Sequence, residues 1–362
     1  MTRPFTVVLI VPTGIGASIG GYAGDALPVA RAIAQVADCL ITHPNVLNGA
    51  QLYWNLPNVL YVEGYGLDQF AAGHWGLRPV HQNQVGLILD QGIEPDLRLR
   101  HLQAADAARA TLGLDLTEYV MTDAPLDVSL QTATSGATWG TIQNPASLLR
   151  AAETLIQKAG ATAIAVVARF PDDTESEALQ NYRHGQGVDP IAGAEAVISH
   201  LIVRTFRLPC AHAPALLPLP LDPHVAPRSA AEELGYTFLP CVLVGLSRAP
   251  QFIVRSQPGF MPQPCDLWAD RVDAVVVPAT ACGGSAVMSF SRSVTASSAT
   301  ATRIIAVQDN QTTMHVPPQA LGIAATQVSS YLEVLGCLVA QRAGISAAAL
   351  KPSMRSLSRL EP

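Results

Sequence analysis

The sequence predicts an α/β protein with two Rossmann-like lobes, mostly parallel sheets and a cleft between the lobes. Apolar runs of strand length alternate with helical patterns along the chain, which is typical of parallel sheets. Val-Pro, a threonine and a glycine-bearing turn follow an apolar strand at 11–16 and again at 277–284, and a polar stretch at 172–190 separates the two halves. We therefore predict an N-terminal lobe at 1–180, a C-terminal lobe at 181–345 and a tail at 346–362.

The elements of the N-terminal lobe follow from apolar periodicity and helix-capping residues. The predicted strands are 7–11, 39–42, 59–63, 85–89, 119–122 and 161–168, and the predicted helices are 26–36, 94–112 and 145–158. We expect 67–84 to be irregular apart from one helical turn. Residues 126–143, rich in Thr, Ser and Gly, are either a surface loop or a short hairpin.

The C-terminal lobe is predicted in the same way. The expected strands are 236–246, 274–277 and 303–307, and the expected helices are 189–207, 229–234 and 326–342, with one more helix after 285. The proline-rich segments 208–228 and 250–264 are predicted to lack regular structure, because proline removes a backbone donor and fixes φ.

Composition excludes several classes of function. The net charge of −6 argues against the positively charged surface that binds nucleic acid. No apolar run reaches the roughly 18 residues of a membrane helix, and the N-terminus lacks a signal-peptide pattern. The six cysteines form no C-x-x-C pair, which argues against a zinc ribbon and a disulfide framework. We predict a cytoplasmic protein with neither a nucleic-acid nor a membrane partner. The sequence leaves a homo-oligomer possible and identifies no cofactor, and no metal site is predicted.

The glycine-rich turn, residues 12–25, predicts a ligand site. Glycines let a ligand approach the backbone, and the free N–H groups and dipole of the following helix favour an anion. The spacing Gly14, Gly16, Gly20 is one residue longer than the dinucleotide fingerprint, and the expected acidic residue is absent. We therefore predict a small anionic partner bound by residues of this turn: Thr13, Gly14, Gly16, Gly20 and Gly21.

The second turn, Cys282-Gly283-Gly284-Ser285, has two interpretations. Cys282 at a helix N-terminus would be a nucleophile with a lowered pKa; alternatively it is a small buried residue beside a ligand-binding Gly-Gly-Ser. Gly283, Gly284 and Ser285 are predicted ligand contacts.

Other candidates stand at strand ends or in rigid loops, where parallel sheets place their sites. His43, His212 and Asp123 are candidate acid–base groups. We expect Asn45, Arg169 and Asn310 to contact the ligand, with the Arg169 guanidinium binding an anion.

The segments 12–25, 43–50, 210–216 and 277–285 together resemble an uncharacterised family of cyanobacterial and plastid proteins catalogued as a domain of unknown function, over nearly the whole chain. A partial similarity links the two glycine turns to two-lobed glycosyltransferases and sugar-nucleotide epimerases. That second resemblance implies a nucleotide-linked substrate, although Val287-Met288-Ser289 stands where those enzymes carry a glutamate.

Three functions follow from these observations. The first is a soluble transferase or isomerase that binds a phosphorylated or nucleotide-linked small molecule between the two turns. The second is a non-catalytic module for metabolite binding or assembly. The third is a cysteine hydrolase that uses Cys282 and His212.

Overall fold

The structure is a computed structural model that describes residues 3–49, 54–172, 176–233, 237–293, 302–353 and 356–359, so part of the predicted tail at 346–362 lies outside them. The strands are β1 (Thr6–Leu9), β2 (Cys39–Thr42), β3 (Val59–Tyr61), β4 (Gly76–Arg78), β5 (Val85–Leu89), β6 (Leu116–Met121), β7 (Val128–Thr132), β8 (Thr138–Ile142), β9 (Ala163–Arg169), β10 (Cys210–Ala215), β11 (Gln251–Ile253), β12 (Ala274–Pro278), β13 (Arg303–Val307) and β14 (Ala325–Val328). The helices are α1 (Leu27–Val36), α2 (Pro44–Leu47), α3 (Gly64–Ala71), α4 (Pro95–Leu112), α5 (Pro145–Ala159), α6 (Glu177–Arg183), α7 (Ala192–Phe206), α8 (Ala230–Glu233), α9 (Leu239–Ser247), α10 (Ser285–Ser293) and α11 (Tyr331–Arg342).

The chain forms a mixed α/β fold with mostly parallel sheets, as the alternating pattern predicts. The larger sheet has six strands in the order β14-β13-β12-β1-β2-β3, and all its neighbours are parallel. Its central strands are fully buried because helices cover both faces, which explains why they are continuous apolar runs.

The second sheet has four parallel strands in the order β10-β9-β5-β6. Two small antiparallel pairs, β4 with β11 and β7 with β8, complete the strand pairing of the described residues. The β7–β8 pair is the hairpin that was one of the two alternatives for residues 126–143.

The two sheets do not follow the predicted division at residue 180. In the six-stranded sheet β1 pairs with β12, so segments from both ends of the chain share one sheet. In the four-stranded sheet β9 pairs with β10, again across that boundary. The second sheet is therefore an insertion in the chain between β3 and β12.

The predicted strand at 236–246 is wrong, because the described part of this segment forms α9. Leu239, Val242, Leu243 and Leu246 are all buried in one core cluster, at helical spacing. A short helix that is apolar on all sides has no helical periodicity in its sequence, so it cannot be distinguished from a buried strand by pattern alone.

The prediction that 208–228 lacks regular structure is wrong for its first part, which is strand β10. This strand lies at the edge of its sheet and pairs only with β9. An edge strand tolerates Pro214 because the missing N–H need not reach a second neighbour.

Three other boundaries differ from the predictions. Segment 67–84 contains most of α3 and all of β4, segment 250–264 contains β11, and the predicted helix at 326–342 is β14 followed by α11. No helix among the described residues is both long and apolar enough to span a bilayer.

Candidate functional site

The candidate site is a cavity of about 430 Å³ beyond the carboxyl ends of the six-stranded sheet. Residues that follow β1, β2, β3 and β12 form one side of the cavity, and α7 with β10 forms the other. Strand order reverses between β1 and β12, and parallel sheets bind ligands at such a point.

Histidines and carboxylates dominate the polar lining. They come from several separate segments of the chain: His43, Glu63, Asp68, Asp189, Glu195, His200, His212 and Glu232. None of the described residues that line this cavity is a lysine or an arginine. The cavity therefore favours a neutral or positively charged ligand over an anion.

His43 is a neutral imidazole with a defined tautomer. It directly precedes α2, and its Nε2 accepts a hydrogen bond from the backbone N–H of Val11 at 3.0 Å. Burial lowers the pKa of His43 to about 4. Since Nε2 is the acceptor, the proton is on Nδ1, which makes His43 a hydrogen-bond donor beside the cavity.

His212 on β10 lies between two side chains of α7. Its Nδ1 is 3.1 Å from Ser199 Oγ, and its Nε2 is 3.8 Å from Glu195 Oε2. Glu195 and Ser199 are one helical turn apart, so they project from the same face of α7 toward the histidine. This arrangement fixes the imidazole while leaving Nε2 near a carboxylate.

Glu63 and His200 form a second histidine–carboxylate pair. Glu63 caps α3 by accepting hydrogen bonds from Tyr65 N and Gly66 N, and its other oxygen pairs with His200 Nδ1. Although burial opposes protonation, the bond to Glu63 raises the pKa of His200. We interpret this pair as positioning α3 against α7, with one edge of the His200 ring left at the cavity.

Two carboxylates with raised pKa values, Asp189 and Glu232, line the cavity. Burial raises the pKa of Glu232 to about 7 and that of Asp189 well above its usual value, and each carboxylate also lies near other acidic groups. Glu232 Oε1 accepts hydrogen bonds from Ala23 N at 2.8 Å and from the Tyr182 hydroxyl at 2.5 Å. Strongly raised carboxyl pKa values in a cleft are typical of functional sites.

Three amides of the glycine-rich turn are bonded to side chains of the protein. Gly20 N donates to Asp25 Oδ1 at 2.6 Å, Ala23 N donates to Glu232, and Ile19 N donates to Asn310 Oδ1 at 2.9 Å. At these three amides a side chain of the protein thus takes the place of a bound anion, while the predicted anion contacts at Thr13, Gly14, Gly16 and Gly21 stay a prediction.

The N-terminus of α10 is filled in a similar way. The Asp68 carboxylate interacts with the backbone N–H of Ala286 and with the Ser285 side chain, and burial raises its pKa. A carboxylate at a helix N-terminus satisfies the unpaired donors there, so the second predicted anion position also has an internal occupant.

The structure brings six of the predicted site residues to one cavity, from both predicted turns and from β10. They are Thr13, His43, Asn45, His212, Gly284 and Ser285.

The remaining glycines and Asn310 lie away from the cavity. A Cβ on Gly14 would approach Thr138, one on Gly16 would approach Val188, one on Gly20 would approach Val11, and one on Gly21 would approach Ala17. The space beside Gly283 is taken by Val316. Gly14, Gly20 and Gly283 serve close packing of the chain, whereas Gly16 and Gly21 also line a separate cavity of about 530 Å³ together with Arg228.

Asn310 is also structural. Besides accepting from Ile19 N, it donates to Ile19 O and to the Tyr331 hydroxyl, both at 2.8 Å. The buried Asn310 side chain therefore ties the glycine-rich turn to α11.

Cys282 does not have the surroundings of a nucleophile. It is fully buried in the main core cluster, and its Sγ faces the carbonyl oxygens of Pro278 and Ala279. Burial raises the pKa of Cys282 to about 11, whereas an activated thiol needs a lowered pKa.

Asp123 and Arg169 also lie outside the cavity. Asp123 forms an exposed pair with Arg150, and this hydrogen bond lowers the pKa of the carboxyl. Arg169 bonds Glu94 and Asp172, and these carboxylates raise its pKa despite its burial. The guanidinium thus has protein carboxylates where an anionic ligand was predicted.

Sequence reasoning missed the site residues of α7 and the carboxylates Asp189 and Glu232. The cavity-lining residues of α7 are 192, 195, 196 and 199, which lie on one face of the helix. Two of them, Glu195 and Ser199, are polar. A polar residue on the inward face of a mostly apolar helix was the available signal. Among the described residues, no three His, Cys, Asp or Glu side chains are grouped in a metal-binding arrangement.

Comparisons with known proteins identify the family of this chain. A relative from Synechococcus sp., named an uncharacterised lipoprotein, is 60% identical over 358 residues, covering 99% of this chain and 96% of the relative. No solved structure matches the chain. These matches support the predicted uncharacterised family with a cyanobacterial member. They do not support the similarity to glycosyltransferases and epimerases. The cytoplasmic location stays a prediction. The model of a family described as protein of unknown function, DUF3326, matches residues 6–351, and the chain belongs to that family.

Proposed function

We propose that the cavity is the active site of an enzyme that transfers protons on a small neutral or positively charged molecule, as an isomerase or a related acid–base catalyst would. One observation carries the proposal: His43, His212, Asp189, Glu195 and Glu232 converge on one cavity from separate segments. Such convergence of titratable groups, some with perturbed pKa values, is the usual mark of an acid–base site.

The proposed architecture is a cleft between two Rossmann-like units, the six-stranded and the four-stranded sheets. In chain order the six strands are arranged 3-2-1-4-5-6, the order of doubly wound nucleotide-binding sheets. This order supports a ligand between β1 and β12, where Thr13 and Gly284 meet the cavity.

The roles follow from the hydrogen bonds. His212, held by Ser199 Oγ and close to Glu195, is the proposed general base. His43, with a proton on Nδ1, is the proposed donor that binds a ligand oxygen. Glu232 has a pKa of about 7, so it exchanges a proton near neutral pH.

This proposal changes the expected charge of the ligand. A phosphorylated or nucleotide-linked molecule needs cations or free amides, but the lining provides carboxylates, and the amides of Gly20 and Ala23 already have carboxylate partners. Carboxylates instead suit an ammonium group or a set of hydroxyl groups.

A thermal-shift panel tests the binding part of the proposal. We expect amino sugars, polyamines, quaternary ammonium compounds or neutral polyols to raise the melting temperature, and nucleotide sugars and phosphosugars to leave it unchanged. Glu195→Gln should weaken the response, whereas Glu153→Gln on the exposed face of α5 is the matched control. Stabilisation by anions alone would refute the assigned ligand charge.

Proton transfer can be tested without knowing the reaction. For each compound that binds, incubation in D₂O should show enzyme-dependent exchange of a carbon-bound proton by NMR. His212→Gln should abolish that exchange while binding persists. Binding without exchange for every compound would favour the second candidate, a non-catalytic binding module.

A further inference from the structure

A second cavity, of about 520 Å³, adjoins the histidine–carboxylate cavity. The two cavities share Asp189, Ile191, Pro214, Glu232 and Phe238 as lining residues. The shared residues form a common wall, so the two cavities are direct neighbours at Asp189 and Glu232.

The second cavity is mostly apolar. Its walls include leucines from β7, from α6 and from the chain that follows β10: Leu130, Leu179, Leu216, Leu217, Leu219 and Leu221. Two of them face solvent, since Leu217 is 48% and Leu221 is 103% exposed. Exposed leucines grouped beside a cavity are typical of a binding surface, whereas single exposed apolar residues are not.

The segment that carries these leucines is held in place by polar contacts. Leu217 N donates to Asp172 Oδ1 at 3.1 Å, and Pro220 O accepts a hydrogen bond from Arg183 at 2.7 Å. Prolines in this segment also restrict its backbone. The apolar wall is therefore preorganised, which lowers the entropic cost of binding.

We infer that the ligand is amphiphilic: its polar end lies in the histidine–carboxylate cavity and its aliphatic chain lies in the second cavity. This inference rests on the proposed function for the polar end. The shared wall favours one ligand that reaches both cavities, and it places Asp189 and Glu232 beside the junction of the polar and apolar parts of that ligand.

A homologous series tests the inference on the full chain. The probes are alkyltrimethylammonium ions with chains from ethyl to decyl, used below their micelle concentrations, with binding measured by calorimetry. We expect the affinity to rise by about fourfold for each fully buried methylene until the cavity is filled. Leu217→Asn should flatten this dependence without changing the affinity of the ethyl compound.

Leu332→Asn is the matched control, because Leu332 on α11 is 80% exposed and does not line either cavity. An affinity that is independent of chain length would overturn the inference and leave the polar site standing. Binding of long chains that Glu195→Gln does not weaken would instead refute the assigned polar site. If no compound bound at any chain length, both the amphiphilic ligand and the polar site for a cationic head group would be refuted.

Discussion

The glycine-rich turn and the wall formed by α7 and β10 border the same cavity, but they contribute to it differently. The turn has a conspicuous motif, yet its amides at Gly20 and Ala23 are bonded to carboxylates of the protein. The α7–β10 wall has no motif, yet it supplies His212, Ser199 and Glu195. A motif shows where the chain makes a tight turn. Only the tertiary structure shows which hydrogen-bonding groups there are still available to a ligand.

The turn has an architectural role that explains its glycines. Gly14 O accepts a hydrogen bond from Thr138 N at 3.0 Å, and Ile15 O accepts one from Thr313 N at 2.9 Å. It thus connects the end of β1 with the β7–β8 hairpin and with the chain after β13. Close approach of these segments requires residues without side chains.

The largest expected effect is at Gly21. A Cβ at this position would lie 2.2 Å from the backbone oxygen of Ala17, which no side-chain rotation can relieve. We expect Gly21→Ala to reduce the free energy of unfolding by about 2–3 kcal/mol, the cost of strong overpacking. Urea unfolding followed by circular dichroism measures this change.

Gly336→Ala is the control for that substitution. Gly336 lies within α11 and a Cβ there would meet nothing within 4 Å. Helix propensity then predicts a gain of about 0.5–1 kcal/mol. If Gly21→Ala were also neutral or stabilising, the turn would not be the closely packed junction described above.

The next effect concerns Glu232, whose carboxyl belongs to the cavity and to the turn. Because burial raises its pKa to about 7, the folded state holds a proton that the unfolded state loses near pH 4.5. The contribution of Glu232 to the free energy of unfolding should therefore fall as the pH rises from about 4.5 to about 7. Glu232→Gln keeps an acceptor for Ala23 N and removes this dependence.

We expect Glu232→Gln to be more stable than the native protein at pH 8 by on the order of 2 kcal/mol, with no difference at pH 4. The comparison of urea unfolding at the two pH values measures it. Glu153→Gln is the control, since Glu153 lies on the exposed face of α5, away from the cavity. An equal difference at both pH values would contradict a proton on Glu232.

The smallest effect is expected at Cys282, where the second glycine turn was a candidate nucleophile site. Iodoacetamide should label the exposed Cys265 of the native protein and leave Cys282 unmodified until unfolding. Mass spectrometry of peptides from native and urea-treated samples measures both. Native labelling of Cys282 as fast as that of Cys265 would revive the hydrolase hypothesis.

Much of the fold was predictable because local patterns decide it. β1, β2, β5, β9, β12 and β13 are buried apolar runs, and α4 and α5 both begin with proline and end at a left-handed glycine, signals that act within a few residues. Elements whose character depends on neighbours were missed. Pro214 is acceptable in β10 only because that strand is an edge, and α9 is helical although its apolar run also fits a strand.

The sequence by itself determined the parallel α/β class, the family, and the position of His43 directly after a strand, whereas His212 was expected in a loop and lies within β10. Only the tertiary structure decided which groups are free to act, because burial and hydrogen bonding join residues far apart in the chain. Glu232 reaches Ala23 across 209 positions, and Asn310 reaches Ile19 across 291. Those contacts bond amides of the glycine-rich turn to side chains of the protein beside a cavity of histidines and carboxylates, a result that no local pattern contains.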